Sequence, residues 1–320
     1  MATAPNKRKC AVIGCGNVGA SIAYTYTMSG LFSEMVLIDL NRAKAEGEAM
    51  DLSHGLPFLS PMKIYAGGYA DLTDAFLIII AAGANQKEGE TRLQLLSTNL
   101  KIFASIVRQI KQYTTSAILL VVTNPVDVLT YYTMRVSGYP PEKVIGSGTV
   151  LDTARLKQLL GNYLSVDSRN IHAFIIGEHG DSELAVWSSA NISGIDLDDY
   201  FRITGACNDN ECLQDMFADV RDAAYRIIAG KGATYYAIAQ AVMRITQSIL
   251  RDENTVMPVS TLLHGEYGIS DVCLGVPAVV GVTGVKRVLE IPLDENELQK
   301  LRKSAQTVKQ ELADCHASFV

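Results

Sequence analysis

Over the first half of the chain, short continuous apolar runs alternate with longer stretches in which polar and apolar residues mix. Lys9 to Ile13, Glu34 to Ile38, Phe76 to Ala82 and Ala117 to Val122 each read as a strand covered on both faces. Helix-compatible stretches lie between them, one from Ala20 to Ser29 and another beginning near Arg92. This alternation predicts an α/β fold with a doubly wound parallel sheet, which binds ligands beyond the carboxyl ends of its strands. Near Gly146 the pattern changes. Leu151 opens another helix, and Glu211 to Leu250 is a long helical region broken at Gly230-Lys231-Gly232. Val256 to Ile291 is β-rich and glycine-punctuated, as antiparallel hairpins require, and a charged amphipathic helix follows Asp294. We therefore expect an N-terminal doubly wound domain over residues 1–146 and a mixed α/β substrate domain over 147–320, with no flexible linker between them.

The turn after the first strand gives that sheet a ligand. Ile13 runs into Gly14-Cys15-Gly16-Asn17-Val18-Gly19 and then into a helix. Glycines at that spacing permit a tight turn and let backbone N–H groups approach a pyrophosphate at the positive end of the helix. The second strand ends in Asp39, about twenty positions beyond Gly19, where a carboxylate accepts hydrogen bonds from ribose hydroxyls and repels a 2′-phosphate. The first domain is thus expected to be a Rossmann fold binding NAD rather than NADP, with Arg42 close enough to soften that preference. Ala81, Gly83, Val122 and Asn124, at the ends of the next two strands, are further candidate cofactor contacts, although Asn124 equally suits the start of a turn before Pro125.

Composition excludes several other classes. With 320 residues and 48% hydrophobic content the chain is an ordinary globular protein. A net charge of −6, with Lys and Arg scattered, offers no footprint for nucleic acid. The polar start is followed by only four apolar residues before glycines intervene, so we expect no signal peptide, no membrane span and a cytoplasmic protein. Six cysteines form no C-x-x-C pair and have no histidine at zinc-finger spacing, which argues for reduced thiols and no metal site.

Chemistry is concentrated in Gly177-Glu178-His179-Gly180-Asp181-Ser182, a polar loop after the apolar Ile175-Ile176. His179, between glycines, is the candidate proton donor and acceptor, since histidine alone titrates near working pH unperturbed. Asp152 and Arg155 lie three apart on one helix face, where a surface ion pair is the default reading. The segment Gly83 to Arg92 is too polar to pack and reads as a lid over the adjoining site. Met and aromatic positions in the long helical region read as core.

In five segments in order, the sequence closely resembles the NAD-dependent L-lactate dehydrogenases of the lactate/malate dehydrogenase family. These are Gly14 to Gly19 with Asp39, the lid from Gln86 to Arg92, Thr123-Asn124-Pro125, Leu151 to Arg155, and the His179 loop, so the likeness spans essentially the whole chain. The resemblance implies reversible hydride transfer between NADH and pyruvate, giving L-lactate and NAD, the end step of anaerobic glycolysis or fermentation. His179 would be the acid/base oriented by Asp152, Arg155 the clamp on the substrate carboxylate, and Arg92 the cation that arrives with the lid. Asn124 would contact substrate as well as cofactor, and Thr234 and Ile238 would wall the substrate's small end. Gln86 occupies the position that is arginine in relatives handling a second carboxylate, which implies pyruvate over oxaloacetate. The resemblance also implies a cytoplasmic homotetramer of bacterial type. Lys157 and His172 match positions where fructose-1,6-bisphosphate-activated relatives carry an arginine and a histidine at a subunit interface; lysine supplies charge without the guanidinium fork. Glu88 departs from the proline of many relatives. The alternatives are a dehydrogenase of another 2-hydroxy acid and a non-catalytic NAD-binding sensor.

Overall fold

The computed structural model describes residues 5–84, 92–206 and 210–315, with backbone alone at Arg92 and Asn210. In chain order the first elements are β1 (Asn6–Ile13), α1 (Asn17–Ser29), β2 (Glu34–Ile38), α2 (Arg42–His54), β3 (Lys63–Ala66), β4 (Ala75–Ile80) and α3 (Arg92–Tyr113). There follow β5 (Ile118–Val121), α4 (Val126–Ser137), β6 (Val144–Gly146), α5 (Val150–Leu164), β7 (Ile171–Ile176), β8 (Leu184–Ile192) and β9 (Ile195–Asp196). The last are α6 (Leu197–Thr204), α7 (Asn210–Lys231), α8 (Tyr236–Arg251), β10 (Thr255–His264), β11 (Ser270–Gly281), β12 (Gly284–Val288) and α9 (Glu295–Asp314).

The apolar runs form the middle of a nine-stranded sheet, ordered β3-β2-β1-β4-β5-β6-β10-β11-β12. The first six strands are parallel, and β10 joins antiparallel to β6 through Ser260 opposite Gly146. The chain reverses its direction of travel across the sheet between β1 and β4, so the crevice beyond their carboxyl ends is where such a sheet takes a ligand.

Both faces of the central strands are buried, which is why the runs lack alternation. Cys10, Val12, Leu77, Ile79 and Leu120 pack on one side against Ile22 and Tyr26 of α1 and Val242, Ile245 and Ile249 of α8. Ala11, Ile13, Ile78, Ile80, Leu119 and Val121 belong on the other to a cluster that also takes in Leu96, Leu100 and Phe103 of α3 and Leu301 and Val308 of α9. Each large aliphatic side chain buried this way contributes roughly 1.5–3 kcal/mol. A separate sheet, β7-β8-β9, closes a third cluster that includes Leu156, Leu160, Ile175, Phe201 and Val220.

Several boundaries differ from expectation. α1 starts at Asn17, so Asn17, Val18 and Gly19 belong to its first turn. β4 stops at Ile80, which leaves Ala81 to Gly83 in the connection beyond it. The break in the long helical region comes at Gly232, whose φ of +83° ends α7, and the chain resumes as α8 only at Tyr236.

Candidate active site

At the carboxyl end of β1 the glycines divide by function. Gly14 has φ +98°, and a Cβ there would lie 2.5 Å from the Ala82 backbone nitrogen; one on Gly19 would lie 1.7 Å from the Gly14 carbonyl oxygen. These two are demanded by the turn and by its contact with the connection beyond β4. Gly16 is different. It caps α1 without a side-chain hydrogen bond, and a Cβ there would meet nothing within 4 Å. Uncapped N–H groups facing open space suit a pyrophosphate. Asp39 sits at the end of β2, with Oδ2 accepting from Cys15 N at 2.7 Å and Oδ1 from Asn41 N at 2.8 Å. A carboxylate has about four lone-pair positions, so ribose hydroxyls can still be received. The residues present therefore fit a dinucleotide.

The neighbouring strand ends are tied together. Ala81 N donates to Ile13 O at 2.8 Å, Val122 N to Ile80 O at 3.0 Å, and Thr123 Oγ1 to Ala82 O at 2.9 Å. Asn99 of α3, which the sequence reading passed over, is buried and links two of these connections: its Oδ1 accepts from Ala84 N at 2.8 Å and its Nδ2 donates to Asn124 O at 3.2 Å. Asn124 is exposed and precedes a cis peptide to Pro125, the residue that caps α4.

The proton-handling group is assembled from distant elements. α5 presents Asp152 and Arg155 on one face, and the loop after β7 brings His179 to them. His179 Nδ1 lies 2.6 Å from Asp152 Oδ2, and Arg155 Nη1 donates to Asp152 Oδ1 at 2.7 Å. The expectation of a surface ion pair is overturned: the Asp152 side chain is 2% exposed and that of Arg155 14%. Burial works against a charged His179, but the charge and hydrogen bond of Asp152 outweigh it, with smaller help from Glu183 and Asp127, and raise its pKa to about 9. Burial likewise acts to raise Asp152, and the His179 charge and hydrogen bond, then Arg155, hold it below the ordinary carboxylate value. At neutral pH this is an imidazolium against a carboxylate.

The loop itself is held from three directions. His179 N donates to Asp127 Oδ2 of α4 at 2.8 Å, and Ser260 Oγ of β10 donates to Asp127 Oδ1 at 2.5 Å. Burial lifts Asp127 to about 6 despite the bonds from Ser260 and from the His179 backbone. Glu178 N donates to Ser304 Oγ of α9 at 2.8 Å. Gly177, at φ +100°, exchanges backbone hydrogen bonds with Gly275 of β11 at 2.8 and 2.9 Å, joining the small sheet to the large one. Asp127, Ser260, Ser304 and Gly275 carry no motif, and only long-range packing reveals them.

Asp152, His179 and Glu183 each place one ligand-type atom within 4.8 Å of the others. Because Asp152 already has His179 on one oxygen and Arg155 on the other, its charge is neutralised from within the chain, which favours proton transfer over metal binding. Of the other candidates, Thr234 lies between α7 and α8, and Ile238 in the first turn of α8 packs against the cluster formed with α1. Lys157 of α5 is half-buried, which lowers its pKa, and His172 is exposed on β7, against which α5 packs. Gln86 and Glu88 lie outside the described residues, as does the Arg92 side chain. Among the described residues no helix is long and apolar enough to cross a membrane.

Residues 8–146 match the lactate/malate dehydrogenase NAD binding domain, and residues 149–319 match the α/β C-terminal domain of the same family. The chain belongs to the lactate/malate dehydrogenase family. The family's NAD binding domain covers β1 to β6, so NAD is the cofactor. An L-lactate dehydrogenase of Acetivibrio thermocellus is 54% identical over 95% of this chain and 96% of its own length. One from Priestia megaterium is 53% identical, with 96% of each chain covered. Among solved structures, a lactate dehydrogenase from a Medee basin deep-sea metagenome library superimposes with a TM-score of 0.94 at 46% identity, covering 97% of this chain and 99% of that one. The minor L-lactate dehydrogenase of Enterococcus mundtii gives 0.93 at 41%, covering 96% and 98%.

Proposed function

We propose that this chain is an NAD-dependent L-lactate dehydrogenase that interconverts pyruvate with NADH and L-lactate with NAD. The observation that carries the reading is the partly exposed His179 ring held by the buried Asp152, with Arg155 on the same carboxylate. The names of its relatives and structural neighbours support it. The Gly14–Gly19 turn, Asp39, Asn17 and Val18 in the first turn of α1, and Ala81, Gly83, Val122 and Asn124 would hold NADH, which would supply the hydride.

The chain's own residues handle the proton and the carboxylate. Asp152 engages Nδ1 of His179 and leaves Nε2 to give its proton to the carbonyl oxygen, a step worth about 10²–10⁴-fold in rate. As His179 becomes neutral, Asp152 keeps the ring oriented for the reverse transfer. Arg155 pairs with the substrate carboxylate in the bidentate manner of a guanidinium, which fixes the 2-carbon. Arg92 would polarise the carbonyl, and Asn124 would add a contact at the edge. Thr234 and Ile238 limit the size of the substrate's far end. Gln86 is neutral, so a second carboxylate would find no cationic partner at that position, a cost of several kcal/mol against oxaloacetate.

Loss of NADH absorbance with pyruvate and, in parallel, with oxaloacetate tests the reading. A strong preference for pyruvate is expected; an equal or higher kcat/KM for oxaloacetate overturns the Gln86 argument, and silence on both with NADH still bound favours a sensor. A series of longer 2-oxo acids separates lactate dehydrogenase from other 2-hydroxy acid dehydrogenases. We further propose a division near Gly146 between cofactor and substrate domains, a cytoplasmic homotetramer, and a place at the end of glycolysis or fermentation. Lys157 and His172 would bind fructose-1,6-bisphosphate as an allosteric activator. Titration with the bisphosphate at low pyruvate, leaving activity unchanged, removes that role.

A further inference from the structure

Glu183 stands at the foot of β8, four residues beyond His179, and no role has yet been given to it. It is 7% exposed, and its Oε1 is buried without a hydrogen-bond partner among the described residues. Its carboxyl belongs to the cluster in which atoms of Asp152, His179 and Glu183 lie within 4.8 Å of one another. An ionised carboxylate that lacks a donor at one oxygen and adjoins a second carboxylate is costly. The un-ionised carboxyl resolves both problems, because its O–H can donate to Asp152.

The surrounding charges agree. Asp152 and Arg155 face Glu183 from α5, His179 from its own loop and Arg221 from α7, while Asp127 and Glu178 lie near His179. Glu297 of α9, the acid nearest along β8, is committed to the N–H groups of Trp187 and Ser188. Burial first, then the Asp152 charge, push the Glu183 carboxyl far above the usual range, and the cations His179 and Arg155 only partly offset this. In return, an ionised Glu183 favours the protonated form of His179.

We propose that Glu183 is a positioning residue that stores a second proton beside the Asp152–His179 pair, donating it as a hydrogen bond to Asp152 at neutral pH and releasing it to solvent only in alkaline solution, where the new charge keeps His179 protonated. This rests on His179 being the proton carrier. The two groups then titrate as a pair, and pyruvate reduction persists to higher pH than His179 and Asp152 alone allow. Asp152 remains a single charge at neutral pH, so the substrate carboxylate meets no second anion.

Glu183→Gln keeps the shape and a donor for Asp152 but cannot ionise. With each enzyme normalised to its own rate near about pH 7, the alkaline limb of kcat/KM for pyruvate should move down by roughly one pH unit in the variant, about tenfold in rate beyond the limb. A Glu183 that served only to fill space would change the rate equally at every pH, and an unmoved limb overturns the proposal. The infrared spectrum of the unmodified protein gives a readout independent of turnover and of the variant's folding. The carbonyl stretch of an un-ionised carboxyl should be present above neutrality, after Asp127 has ionised, and vanish in alkaline solution. Its absence in neutral solution also overturns the proposal. Normal turnover by His179→Asn would instead remove the reading of His179, and the infrared band would still report the state of Glu183.

Discussion

The two halves of the site are built on opposite principles. The candidate cofactor cradle at Gly14–Gly19 is made by leaving side chains out, so that backbone N–H groups and open space are offered to a ligand. The proton centre is made by putting charged side chains in, and each one is tolerated only because another answers it. Shape therefore governs the first region and charge balance the second. Substitutions should fail by steric conflict in one and by uncompensated charge or lost protons in the other.

The largest effect expected is at the proton centre. His179→Asn should lower turnover by about 10²–10⁴-fold while NADH still binds, as read by fluorescence titration. Loss of both together would mean that the two regions are one mechanical unit. Next comes Gly14→Ala, which forces a side chain onto φ +98° and against the Ala82 backbone. It should cost roughly 2–4 kcal/mol and lower Tm by on the order of 5–10 °C even without cofactor. Gly16→Ala sharpens the contrast, because its Cβ meets nothing in the chain. It should leave the apo Tm unchanged and weaken NADH by about tenfold, near 1.4 kcal/mol. An equal fall in Tm for both glycine variants would show that Gly16 also serves the turn.

The smallest and most diagnostic effect is in pH. The His179 pKa rises from an unfolded value of about 6.5 to about 9 on folding. Its contribution to stability is therefore complete below about pH 6.5 and is lost as pH climbs through about 9. For the same reason kcat/KM for pyruvate should fall through about pH 9, and that for lactate, which needs neutral His179, should rise over the same interval. Parallel limbs in the two directions would assign the titration to some other group.

Much of this arrangement is legible in residue order. Unalternated runs such as Phe76 to Ala82 announce strands covered on both faces, and Cys10 and Ala11 do enter opposite clusters. Gly14 to Gly19 and the His179 loop are local motifs, so their chemistry can be read in place. The four-residue β3 and the two-residue β9 are not, because so few residues carry no periodicity. The Asp152–Arg155 spacing pointed to a surface pair, since i,i+3 geometry is the same wet or dry; only the packing of β7 and its following loop against α5 makes it buried. Asp127, Asn99 and Glu183 look ordinary in sequence, and each gains meaning from a partner brought close by folding.

The backbone bridge from Gly177 to Gly275 also bears on synthesis. The strands that carry the cradle, β1 to β6, have all been made by residue 146, while α8, which packs against α1, comes later. His179 then emerges into a loop whose anchors are still to come: Ser260 behind Asp127, Gly275 across the sheet, and Ser304 beneath Glu178. Since chains leave the ribosome N-terminus first and larger proteins fold in parts, the strands of the cradle emerge well before the histidine loop can be held in place. A polypeptide cut short between Ser182 and Ser304 should thus carry every strand of the cradle and a histidine loop without its last anchor, and the loop is fully tied only with the last helix.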